Sequence, residues 1–182
     1  MKPSGKLCCY PPALLAAALT VAAPAMAFDV NSEVPIQVSA DAARLDDSAG
    51  VATYTGAVEL VQGETRLEAE RVVLYRDARG LSRIEASGNP AHYRQPAQDD
   101  AGMTDARALN ITWSAADAQL TFERQAIIEQ NSNVFKGDVI HYNTESRVVT
   151  ADGGKTDSGA SGRVEMVIQP RNSDQSSSGD GS

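Results

Sequence analysis

Four features of this 182-residue chain could do chemistry: His92, His141 and the carboxylate pairs Asp46–Asp47 and Asp99–Asp100. Histidine exchanges protons near neutral pH, and neighbouring carboxylates can divide acid and base roles. Each His is followed by an aromatic residue, Tyr93 or Tyr142. In a strand that turns the Tyr inward, the His faces solvent. Both Asp pairs lie in turn-rich stretches, where Asp bonds to its local backbone. No G-x-S-x-G, HExxH, P-loop or G-x-G-x-x-G motif occurs. Two His and two Cys cannot build a multi-ligand zinc site unless carboxylates supply most ligands. No catalytic residue, metal or cofactor is therefore expected. The formal net charge of −8 argues against a nucleic-acid partner.

The elements around these residues begin with a targeting segment. Lys2 and Lys6 precede an uncharged apolar run, Ala13 to Ala23, and Ala25-Met26-Ala27 forms a small-x-small cleavage site. Residues 1–27 read as a cleaved signal peptide and imply export. Cleavage leaves 155 residues, removes Cys8 and Cys9, and moves the net charge to −10. At the other end, residues 171–182 hold Ser, Gly, Asp and other polar residues with no apolar side chain, which predicts a disordered tail. One domain is expected over residues 28–170.

Within that domain, period-2 alternation dominates. Val34, Ile36, Val38 and Ala40 alternate with polar residues and Pro35, and Val164, Met166 and Ile168 do the same near the end. Gly, Asp and Asn clusters break the runs at short intervals. Arg66 to Arg76 holds helix formers, but its pattern recurs where helix propensity is poor, so it reads as a strand. That pattern is apolar-x-small-x-x-apolar-x-apolar. It occurs at Val38/Ala40/Ala43/Leu45, Leu67/Ala69/Val72/Leu74, Thr104/Ala106/Leu109/Ile111 and Phe135/Gly137/Ile140/Tyr142. Two alternating stretches joined by a three-residue step keep one face inward across a bulge or corner. Each unit of about 30 residues cannot bury its face alone, so the units must stack. The expected class is all-β, as a coiled stack of antiparallel sheet, a closed barrel or a sandwich.

The inward face carries Ile36, Val38, Tyr54 and Leu60, then Leu67, Val72 and Leu74. It continues through Tyr93, Leu109, Ile111 and Trp113 to Phe122, Phe135, Ile140 and Tyr142. Such a face is either a filled core or the wall of an apolar groove that holds a ligand.

Several segments resemble the OstA-like domain family. They are Val34–Asp41, Tyr54-Thr55-Gly56-Ala57-Val58 with Gln62-Gly63, Leu67–Val72, Gly88–Gln95, and Lys136-Gly137-Asp138 before Ile140 and Tyr142. The resemblance spans about Val34 to Gln169. It implies a β-jellyroll of stacked antiparallel strands, open at both ends, with no enzymatic role. It also implies transport of lipopolysaccharide across the periplasm, with acyl chains in the apolar interior. The implied partners are an LptC-like inner-membrane protein and the N-terminal domain of an LptD-like outer-membrane protein. Matching the strands places Ile36, Val38, Tyr93, Ile111 and Trp113 on the interior wall. The acidic stretch 95–103 and the tail depart from the family pattern.

Two further expectations follow. Binding by an acidic chain should rest on the interior and respond little to salt. The terminal strands, carrying Val34, Ile36 and Val38 at one end and Val164, Met166 and Ile168 at the other, leave backbone groups unpaired and invite head-to-tail self-association. The rival readings are a membrane-anchored LptC-like partner of the same fold and a periplasmic β-domain enzyme acting on carbohydrate.

Overall fold

The computed structural model describes residue 28 and residues 32–96, 102–154 and 162–168. The expected signal segment, the pair Asp99–Asp100 and the expected tail lie outside the described residues. Every regular element among the described residues is a strand: β1 (Gln37–Ser39), β2 (Ala42–Asp46), β3 (Val51–Gln62), β4 (Thr65–Asp77), β5 (Gly80–Gln95), β6 (Thr104–Ser114), β7 (Gln119–Gln130), β8 (Asn133–Asn143), β9 (Val149–Asp152) and β10 (Glu165–Val167). Arg66–Arg76 is thus strand. Its alternate residues Leu67 and Val72 are buried in the core, a return that helix propensity alone does not provide.

The strands form one antiparallel sheet in the order β1-β3-β4-β5-β6-β7-β8-β10. β2 pairs with the other half of β3, and β9 with the other half of β8. The two ends of the sheet do not pair with each other. The architecture is therefore an open roll, and the closed barrel is excluded.

The roll comes from bends that line up from strand to strand. The ladders slip between Thr55 and Val58, Glu68 and Arg71, Ser87 and Ala91, Arg107 and Asn110, and Glu123 and Ala126. β3, β5 and β7 carry the extra residues, namely Gly56-Ala57, Gly88-Asn89-Pro90 and Arg124-Gln125. Their neighbours β4, β6 and β8 carry the three-residue step of the repeat. More chain on alternate strands makes the sheet fold over a common line into two leaves. Ala57, Arg124 and Gln125 adopt positive φ of 41°, 63° and 57° to do this. Gly56 (φ 79°) is required on two counts: a side chain there would be strained and would collide with the Asp41 carboxylate. Asp41 N–H donates to the Gly56 carbonyl at 2.9 Å, pinning the gap between β1 and β2.

Three details differ from expectation. Leu109 does not join the core cluster, and Ala108 is buried instead. The inward alternation of β6 runs Thr104, Ala106, Ala108 and resumes at Ile111, so its three-residue step falls two residues later than the apolar pattern places it. Ala43 and Leu45 belong to the inward pattern but lie on the outermost strand, so Leu45 is 64% exposed. The terminal strands are shorter than the alternation predicts: Val34, Ile36, Val164 and Ile168 lie outside β1 and β10. Pro35 supplies no N–H to extend the first ladder, and the Val34 carbonyl is held instead by Gln62 Nε2 at 2.9 Å.

Candidate functional site

The ladder register aligns the inward residues into three apolar rungs that cross the sheet. On the first leaf, one rung runs from Val38 through Leu60, Leu67, Tyr93, Ala106, Ile128 and Phe135 to Met166. On the second leaf, one runs through Tyr54, Val72, Ala86, Ile111, Phe122 and Ile140 to Ala151. The other passes through Leu74, Ile84, Trp113, Leu120 and Tyr142 to Val149. The two leaves turn these rungs toward each other.

Burial changes along the rungs. Leu60, Leu67, Tyr93, Ile111, Trp113, Phe122 and Tyr142 are buried in the middle. Ile36, Val38, Tyr54, Leu74 and Phe135 pack against this cluster while partly exposed. Of the fifteen residues read from the sequence as the inward face, all but Leu109 meet in one interior, which is filled at its centre and accessible toward its ends. At the last strand Met166 is 51% exposed. Ile84, Leu120 and Ile128 also belong to the interior. The alternation that located their neighbours could have located them.

Beyond the first rung lies a polar one. Gln95, Thr104, Gln130 and Asn133 face one another across β5 to β8, and Gln62 faces Thr65. Gln130 Nε2 donates to Thr104 Oγ1 at 3.0 Å and to the Tyr142 hydroxyl at 3.5 Å. The second bond joins the polar rim of one leaf to the outer rung of the other. The Tyr93 hydroxyl donates to Gln95 Oε1 at 3.2 Å. Burial, with a smaller contribution from Tyr142, pushes the Tyr93 phenol well above its ordinary value of 10.0. The unfolded chain ionises Tyr93 first, so the folded state binds more protons in alkali and stability falls as pH rises above 10. The Tyr93→Phe variant is expected to flatten that alkaline decline in a pH series of thermal midpoints; an unchanged decline would assign it to other groups.

The residues that could do chemistry sit elsewhere. His92 and His141 lie on the outer face, opposite in direction to Tyr93 and Tyr142. His92 Nε2 is 2.8 Å from Asp105, and its Nδ1 is 3.9 Å from Glu68. Arg94 and Arg107 pair with these same acids at 2.5 and 3.0 Å. Both ring nitrogens of His92 thus face carboxylates, not a nucleophile. His141 Nδ1 meets Gln119 Nε2 at 2.8 Å and Thr121 Oγ1 at 3.1 Å. Asp46 accepts from Ser48 Oγ at 2.7 Å and Ala49 N–H at 3.0 Å, and the Ser48 bond lowers its pKa most. Asp47 turns away to Arg76. No cluster of three or more His, Cys, Asp or Glu among the described residues could hold a metal ion.

A family model described as "LptA/(LptD N-terminal domain) LPS transport protein" matches residues 37–148, from the start of β1 to the residue before β9. The chain belongs to this family. Relatives of this LptA-family chain include the lipopolysaccharide export system protein LptH of Pseudomonas aeruginosa, 37% identical over 81% of the chain and 86% of LptH. The lipopolysaccharide export system protein LptA of Escherichia coli strain K12 is 29% identical over 86% of the chain and 83% of LptA. The crystal structure of LptH, described as the LptA-homologous periplasmic component of the lipopolysaccharide transport device of P. aeruginosa, superposes with a TM-score of 0.68 at 38% identity. It covers 76% of this LptA-family chain and 97% of that one. The open antiparallel sheet of this chain is therefore shared with that family member.

Proposed function

We propose that this LptA-family protein is a non-enzymatic periplasmic carrier that passes lipopolysaccharide from an inner-membrane export complex to an outer-membrane assembly complex. The observation that carries this reading is the course of the first apolar rung, which runs unbroken from β1 at one edge of the sheet to β10 at the other. Acyl chains lie between the leaves, against Val38, Leu60, Tyr93, Ile111 and Trp113, while sugars stay in water. Each buried methylene contributes about 0.8 kcal/mol, so one twelve-carbon chain gains at most about 9 kcal/mol. Such binding needs no cation for the lipid phosphates and changes little with salt. End-to-end copies, or an LptC-like protein and an LptD-like N-terminal domain at the two ends, continue the rungs by strand addition.

Photo-crosslinking tests this directly. A photoreactive amino acid in place of Trp113, on the inner face, is expected to form an adduct with radiolabelled lipopolysaccharide. The same group in place of Thr112, on the outer face, is expected to form none. Equal labelling at both positions, or none at 113, sinks the proposal.

A further inference from the structure

Phe28 is not part of any paired strand, yet it is only 2% exposed. Its ring stands edge-on to Tyr93, with centroids 6.1 Å apart and planes at 67°. It stands in the same way to Trp113, at 6.0 Å and 80°. Tyr93 belongs to the first leaf and Trp113 to the outer rung of the second, on opposite sides of the bend between Ser87 and Ala91. One ring touching both is a wedge between the leaves. Tyr93 in turn leans on Phe122 at 6.2 Å, so the wedge rests on an aromatic floor. Ring contacts seat it there, and among the described residues it belongs to no strand ladder.

We propose that Phe28 is an internal stand-in for an acyl chain. Its ring fills the gap between Tyr93 and Trp113 that a lipid chain takes, and lipid binding displaces it. The inference rests on the lipid-carrier reading and adds a competitor to it. An empty gap would expose apolar surface to water; the wedge covers that surface until lipid arrives. Competition also weakens the grip on the cargo. A wedge seated in about nine molecules of ten lowers the apparent affinity about tenfold, which suits a protein that must hand its lipid on. Sequence gives no sign of this role, because Phe28 stands apart from the alternating runs.

The test places 4-fluorophenylalanine at position 28 and follows its fluorine resonance while purified lipopolysaccharide is added, with co-elution as an independent measure of binding. The resonance is expected to move from a buried to a solvent-exposed position as lipid binds. Phe28→Ala is expected to bind lipopolysaccharide about three- to tenfold more tightly, with Phe28→Leu between it and the parent. Co-elution with an unmoved resonance, or weaker binding by a folded Phe28→Ala, overturns the wedge and leaves the carrier reading standing. Absence of co-elution overturns the carrier reading and the wedge with it. The fluorine measurement keeps the native fold, so it decides the matter even where Phe28→Ala fails to fold.

Discussion

Asp in place of Ile36 is expected to abolish lipopolysaccharide capture in a chain that still folds, whereas Asp in place of Ile111 is expected to unfold it. Both residues belong to the wall read from the sequence, but the structure separates them. Ile36 lies before β1 and only packs against the core cluster. A carboxylate there keeps access to water and stands where acyl chains pass. Facing an apolar ligand with a charge costs about 2–3 kcal/mol even with partial solvation, or about 30- to 150-fold in affinity. Ile111 is 1% exposed and lies between Ala86 and Phe122 on its rung. An unpaired buried carboxylate costs several kcal/mol, a large share of the roughly 5–15 kcal/mol that holds a domain together. Circular dichroism melts and co-elution with fluorescent lipopolysaccharide separate the outcomes. Wild-type capture by Ile36→Asp would refute the lipid path at that end. A cooperative melt near the parental midpoint in Ile111→Asp would contradict the packed centre.

Removing residues 163–182 is expected to abolish end-to-end oligomers. The deletion strips β10 from Val134–Lys136 of β8 while β9 still covers the other half of that strand. The uncovered half of β8 then lies one strand behind the β9 edge, so the two leaves no longer present their edges at one level. The paired change Met166→Asp with Ile168→Asp is expected to act in the same direction without shortening the chain, because it sets charges on an exposed apolar edge. Light scattering at increasing concentration reads both. Oligomers that persist in the deletion and in the double variant would place self-association on another surface.

Much of this architecture is legible in the sequence. Period-2 alternation located the interior because each strand has one face in water and one against the core. The repeated three-residue step located the bend in β4 and β8, and in β6 to within two residues. What escaped has physical causes. The partner bulges in β3, β5 and β7 are not all marked by glycine: Arg124 and Gln125 take positive φ with long polar side chains, so composition does not announce them. Ala108 takes the inward place and Leu109 does not, because the step in β6 lies between Ala108 and Ile111 and not between Ala106 and Leu109. Phe28 escaped because a lone ring outside a strand has no periodicity to betray it.

The split terminal strands have a consequence for fidelity. One end of the sheet presents two short segments of 3 and 5 residues, and the other presents two of 4 and 3, each pair set at an angle by the bend. A straight strand from an unrelated protein can zip along one segment and then loses its template. Only a chain folded over the same line can engage both. Strand addition at these ends, as proposed, would thereby be restricted to chains bent in the same way, and the flat β-strands that seed aggregation would find no full template.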